Sequence, residues 1–165
     1  MNKTPQDRIV TVVDTFAALI EKAPFFAGTP SVPVLTERKG DINATIAQAL
    51  AKLGMSVVVI APDANNLITE NDRLKLRLRL IAEVSEIVLI NQTACKAAGI
   101  PYRPALAAAT QIMRAVSRQP NGLDGAQQHR PRINEFDLDP AEPFRLVPDR
   151  KCVTYHITAY TTVVL

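Results

Sequence analysis

Four cations at every second position, Arg73, Lys75, Arg77 and Arg79, are the sharpest chemical feature of the sequence. On an extended strand this spacing puts them on one face, as a line of positive charge. Such a line suits DNA phosphates or an acidic surface on a neighbouring subunit. It also suits the solvated side of an antiparallel strand, where charge discourages edge-to-edge aggregation. If the line pairs across a sheet, an acidic strand must lie beside it, because like charges directly opposite destabilise. A second basic group, His129, Arg130 and Arg132, stands in a stretch rich in proline and glycine. It reads either as an adaptable docking arm or as a mobile solvated loop. Ile133, Phe136 and Leu138 follow closely and would anchor such an arm. The assembly-interface candidates are therefore Arg73, Lys75, Arg77, Arg79, His129, Arg130, Arg132 and Phe136.

Other reactive side chains are sparse. Cys95 and Cys152 are the only cysteines and His129 and His156 the only histidines, too few for a disulfide scaffold or a full zinc ligand set. Both thiols are expected to be free. His156 and Cys152 alternate onto one side of a strand, but the two alone leave a metal underliganded, and His156 reads as a cross-strand partner. Gly122-Leu123-Asp124-Gly125 has the spacing of a phosphate-clamping GxxG loop, with an aspartate where phosphate would approach. A pair of turns is the simpler reading. Asp137 and Asp139 have no evident apolar pocket to tune them for acid–base work. Phosphate-binding loops, nucleophile elbows and zinc-protease helices are missing from the sequence. No catalytic residue, metal or cofactor is expected.

The elements that must position these residues begin with a helix. Thr4, Pro5 and Asp7 make a capping box ahead of a wide apolar face, from Ile9 to Ile20. It should end before Pro24. Ser31–Glu37 predicts a short edge strand, since Pro33 cannot sit inside a sheet. Asp41 caps a second helix that Gly54 closes. Met55–Ala61 reads as a buried strand stopped by Pro62-Asp63, with Asn65-Asn66 prolonging the turn. From Arg73 to Val84, leucines and other apolar residues alternate with the cations. Leu, Arg and Lys favour helices intrinsically, but residues two apart share a side only on a strand, so the pattern predicts strand. At about 3.3 Å per residue that strand spans ~40 Å, about twice the usual length, and should project beyond the body or pair outside it. Asn91–Gly99 reads as a loop or short helical turn. A third helix is expected over Ala105–Arg118, with Leu106, Ala109, Ile112, Met113 and Val116 inward. Residues 119–149 hold five of the twelve prolines and little periodicity, which predicts an extended loop or assembly arm. A short strand is expected at Phe144–Val147 and a long alternating one at Val153–Leu165.

The frame for these elements is a chain of 165 residues, 47% hydrophobic and 21% charged, long enough for one domain with a normal core. No apolar run approaches the ~20 residues of a membrane helix. Aromatics are only 5% and Trp is absent, against a stacking platform for single strands. Residues 1–72 carry net −2, residues 73–132 net +7 and residues 133–165 net −2. A basic middle between acidic ends suits a negative partner or self-assembly. The expected fold is α/β of the α+β kind. It has a mixed or antiparallel sheet, about three helices, a long hairpin and an extended loop in one domain, 1–165.

Three segments carry a resemblance: the helix Asp41–Leu50 leading into Val57–Ile60, the alternating strand Leu74–Val84 followed by Asn91 and the third helix, and the β-rich end Val153–Leu165. In this order they resemble the small neck proteins of tailed bacteriophages, of the tail terminator group, also known as minor tail or tail-completion proteins. The resemblance implies a homo-oligomeric ring, typically a hexamer, that caps the finished tail tube. That ring would meet the tail tube protein on one side and a head–tail connector or head-completion protein on the other. DNA would pass through its lumen without sequence readout. The implied location is the virion neck, and the host cytoplasm during assembly, with no membrane partner. Rival readings are another head–tail connector or head-completion ring, a nucleic-acid-binding protein using the basic middle, and a small hydrolase without a visible motif.

Overall fold

In the computed structural model, residues 4–37, 40–70, 73–123, 134–149 and 151–165 are described. The chain runs α1 (Pro5–Glu21), α2 (Pro24–Ala27), β1 (Val34–Thr36), α3 (Ile42–Leu53), β2 (Met55–Glu70) and β3 (Arg73–Glu86). It continues as α4 (Val88–Ala97), α5 (Ala105–Val116), β4 (Asp137–Leu138), β5 (Phe144–Val147) and β6 (Val153–Val164). One mixed six-stranded sheet has the order β1-β2-β3-β6-β4, with β5 also on β6. Among the described strands only the β1–β2 pair is parallel, joined through α3 as a βαβ crossover requires. The α+β expectation holds. Three longer helices stand where they were expected, and α2 and α4 are added to them.

Local signals explain several boundaries. The Thr4 hydroxyl accepts from the Asp7 backbone while the Asp7 carboxylate accepts from the Thr4 backbone, and both bonds relieve orphan donors of α1. Asp41 caps α3 through the Ala44 N–H at 3.1 Å. Gly54 ends that helix in the left-handed region, φ +69°, where a Cβ would also collide with the Asn91 backbone.

The core lies between one face of the sheet and α1 with α5. Val12, Phe16 and Ile20 of α1 and Ala108, Ala109, Ile112 and Val116 of α5 meet Val57, Val59, Leu80, Ala82, Ile157 and Val163. Leu35, Val58 and Ala49 are buried outside this cluster, on the alternate side of β1 and β2, where α3 packs. Among the described residues α5 is the helix packed on β3 and β6, on the core side. At the first turn of α5, Leu106 is 47% exposed and Ala105 takes the inward place expected for it.

Three expectations about chain path change. Pro62 does not end β2. The strand continues to Glu70, and the register shifts between Ile60 and Asp63, a bulge that accommodates the missing N–H. Residues 88–97 form a helix of 10 residues, longer than the loop or short helical turn expected at Asn91–Gly99, although Ile87 offers no capping side chain. The β3 strand does not project alone, because β6 pairs with it continuously from Lys75–Val164 to Glu86–Val153. Among the described residues the outer side of β2 is paired over Val57–Val59 alone, by β1, while β3 accompanies its other side to Glu70.

The segment 119–149 is largely fastened to the body. Pro120 bridges Glu135, Asn121 donates to the Thr161 hydroxyl at 3.0 Å and to the Thr162 carbonyl, and β4 and β5 add to the sheet. Residues 124–133, the remainder of the expected arm, lie outside the described residues.

Candidate functional site

The face of β3 and β6 away from α5 is the surface to which the basic line belongs. Register sets Arg77 opposite Thr162, Arg79 opposite Tyr160, Ile81 opposite Thr158, Glu83 opposite His156 and Ser85 opposite Thr154. On the other flank β2 sets Asp63 opposite Arg79 and Asn65 opposite Arg77. The acidic strand that the cations required is therefore supplied in part by Asp63. Its carboxylate accepts from Arg79 Nε at 3.1 Å and from the second guanidinium nitrogen. The Arg77 guanidinium lies 4.4 Å from the Tyr160 ring centroid, a cation–π contact that still leaves the residue exposed. Lys75 is half-buried, and Arg73 opens the strand opposite Glu70. The expected strand and its two-sided pattern are present, with Leu78, Leu80, Ala82 and Val84 buried on the other side.

Toward the opposite end of this face, His156 Nε2 and Glu83 Oε2 are 2.7 Å apart, so His156 is a cross-strand partner as expected. Next to them an open cavity of about 450 Å³ is lined by Glu83, Ser85, Val147, Asp149, Lys151 and Thr154. A carboxylate-held imidazole is an oriented base, but a nucleophile must stand within reach of it. Ser85 and Thr154 are bonded to each other, 3.0 Å between hydroxyl oxygens. Burial first, and then the nearby Asp149, push the Cys152 thiol up from its ordinary range, which lowers its thiolate fraction and its nucleophilicity. Both cysteines are free. Among the described residues no cluster of three or more His, Cys, Asp or Glu could hold a metal ion.

Below that cavity Glu86, 2% exposed, ends β3 in a site that sequence reasoning missed. Its carboxylate accepts from Asn91 Nδ2 at 2.7 Å, from the Tyr102 hydroxyl at 2.6 Å and from the Ala105 N–H at 2.6 Å. The last bond caps α5, whose Pro104 has no side-chain donor or acceptor to offer. Burial, and then the bond to Glu86, push the Tyr102 hydroxyl up to about 12. The only sequence signal is a charged residue at the end of an apolar alternation.

The edge of the sheet holds a second missed feature. In β5, Phe144 is 40% and Leu146 55% exposed. Around them, residues 134–149 carry five carboxylates, Glu135, Asp137, Asp139, Glu142 and Asp149, against one cation, Arg145. The charge was visible in the sequence as net −2 over residues 133–165, but its placement along one edge was not.

Of the eight interface candidates, the four on β3 share one strand and one face. His129, Arg130 and Arg132 lie outside the described residues. Phe136 must be corrected. It is fully buried, and its ring packs edge-on against Phe16 at 5.0 Å, so it anchors 134–138 to the chain's own core. Of the GxxG loop only Gly122 and Leu123 are described. Gly122, φ +84°, sits against Thr15 with no room for a Cβ. Asp139 caps a turn through the Ala141 N–H. No helix is long and apolar enough to cross a membrane among the described residues. Compared with known proteins, the chain matches no family model, and no curated protein is similar enough to count as a relative.

Proposed function

We propose that this chain is a structural subunit of the neck of a tailed bacteriophage, of the tail terminator kind, and that it acts by assembly rather than by catalysis. The observation that carries the reading is the form of the sheet. Its long β3–β6 ladder has one face packed by α5 and one face carrying cross-strand charge and polar pairs. Such a face is a broad, stiff contact surface. The order of helices and strands that resembles the terminator group supplies the kind of assembly: a ring, six-fold in that group, around the end of the tail tube. The ring would cover the last layer of tube subunits, so that no further layer adds. Its other side would then receive the head–tail connector or head-completion protein. DNA would cross the lumen unread.

Native mass measurement of the purified chain, alone and with tail tubes, tests this reading. A closed oligomer of fixed size and tails of uniform length in its presence are the expected result. A monomer that leaves tube length unchanged overturns it. If that monomer binds DNA with an affinity falling steeply with salt, the nucleic-acid reading of the basic middle takes its place.

A further inference from the structure

We propose that the outer edge of β5 is a strand-addition site for an extended segment of another protein, one that reads apolar, acidic, apolar, basic along its sequence. The site does not depend on the neck reading, because it is defined by the backbone and side chains of one sheet edge.

Two outer strands of the sheet end it differently. Val34, Leu35 and Thr36 of β1 are all buried. Phe144, Arg145 and Leu146 of β5 are all exposed, and among the described residues β5 pairs with β6 alone. The Thr158 N–H donates to the Pro143 carbonyl at 3.1 Å, which makes Pro143–Thr158 a hydrogen-bonded position. Alternation then makes Phe144–Ile157 and Leu146–Tyr155 non-bonded positions, so the N–H and C=O of Phe144 and Leu146 point away from β6. Residues two apart on an added antiparallel strand can exchange both backbone bonds with each of them.

The side chains of β5 itself set what that strand carries, since residues directly opposite each other share a face. Phe144, 40% exposed, and Leu146, 55% exposed, lie on the face of Ile157 and Tyr155, so the residues opposite them should be apolar. Arg145 stands between them on the other face, its side chain 59% exposed and answered by Glu142 only at 3.9 Å. A carboxylate directly opposite Arg145 gains a cross-strand pair, and a cation there is repelled. One residue beyond Phe144 the added strand returns to the Arg145 face, opposite Pro143 and next to the exposed Glu142, where a cation fits. The Asp139 N–H donates to the Thr158 carbonyl, so residues 140–142 leave the ladder and the added strand ends there. From Leu146 toward Pro143, an antiparallel partner therefore reads apolar, acidic, apolar, basic.

The test titrates the isotope-labelled full chain with the capped peptide Thr-Val-Glu-Val-Lys-Thr and with its charge isomer Thr-Val-Lys-Val-Glu-Thr. The two have the same composition, so general attraction cancels between them. The first should bind at least about threefold more tightly at low salt, with amide shifts confined to residues 142–147 and slowed exchange at Phe144 and Leu146. Arg145→Glu together with Glu142→Arg should reverse the order. Leu146→Lys should weaken the first peptide about tenfold. These side chains are exposed, so the melts should not change. Methylating both valine nitrogens removes the inward donors and should abolish binding.

Equal affinity for the two isomers, shifts on the basic line of β3, or no binding of either peptide at millimolar concentration overturns the proposal. So does protection of the Phe144 and Leu146 amides in the free chain together with a multimeric mass, since a second copy then covers the edge. The isomer preference in a chain that is monomeric and leaves tail tubes unchanged upholds the edge while the neck reading falls.

Discussion

The two ends of β3 handle charge in opposite ways. At Glu86 a carboxylate is taken out of water and answered by three donors from α4, the following loop and α5. At Arg77 and Arg79 the charges keep their water and gain only a ring face and one carboxylate across the ladder. Desolvation makes the first arrangement demanding, because every unmet donor or acceptor there costs ~1–3 kcal/mol. At the second, solvent screening leaves each pair worth ~1 kcal/mol or less. A charge in this strand therefore matters to stability in proportion to its burial.

The comparison can be broken most severely by placing a carboxylate where no donors wait. Leu78 is 3% exposed on the core face, and Leu78→Asp should cost on the order of 4 kcal/mol or more. Urea unfolding should show a chain largely unfolded or with a much lower midpoint, and an unchanged midpoint would contradict the burial of that face. Removing Glu86 is next. Glu86→Ala strands three donors and should cost about 3 kcal/mol, while Glu86→Gln keeps one acceptor oxygen and should cost less. Equal stabilities for wild type and Glu86→Ala would mean the three bonds contribute nothing.

Tyr102 sharpens the same end through pH. Its hydroxyl ionises at about 12 in the folded chain, against 10 for an ordinary tyrosine. The raised value means that the unfolded chain loses this proton first. The stability it contributes is complete below pH 10, and is lost as pH rises from 10 to about 12. Tyr102→Phe should remove that part of the alkaline decline and eliminate the tyrosine absorbance step at about pH 12. The smallest effect belongs to the far end, where Arg79→Ala should change stability by about 1 kcal/mol or less and lose that effect in high salt. A loss several times larger would mean that the Arg79–Asp63 pair is more deeply desolvated than its exposures of 37% and 48% imply.

Legibility followed the range of the interaction. The capping box at Thr4 and Asp7, the Asp41 cap and the Gly54 stop involve neighbours a few residues apart, and each was readable in place. The strand character of Arg73–Glu86 was readable because the period of two is written in the residues themselves. Failure began where a distant partner decided. Pro62 looks like a stop, but β3 holds β2 in register on both sides of the bulge. The α4 helix has no side-chain cap and a weak apolar pattern. It is held by burial of Asn91 and Cys95 and by the Glu86 carboxylate, which accepts from Asn91.

The candidate surface divides along the same line. Its cations were legible as a line, and His156 was legible as a cross-strand partner. Their partners Asp63, Tyr160 and Glu83 were not, because each comes from another strand, at separations of 16 residues for Asp63 and 73 for Glu83 and His156. Phe136 shows the converse. An aromatic in a proline-rich stretch reads as an anchor for something outside, and only the meeting of 134–138 with α1 turns it into core.

By itself the amino-acid sequence determined the α+β class, the helix caps, the two long alternating strands and the sign of the charge in each third of the chain. These follow from local sterics, from the periods of helix and strand, and from composition. Only the tertiary structure decided that β6 pairs with β3 from Lys75 to Glu86, that β1 pairs with β2 over Val57–Val59, and that β4 and β5 carry the acidic segment onto β6. Those facts depend on which distant strands pair and in which register, and register is set by burying one face of the whole sheet at once.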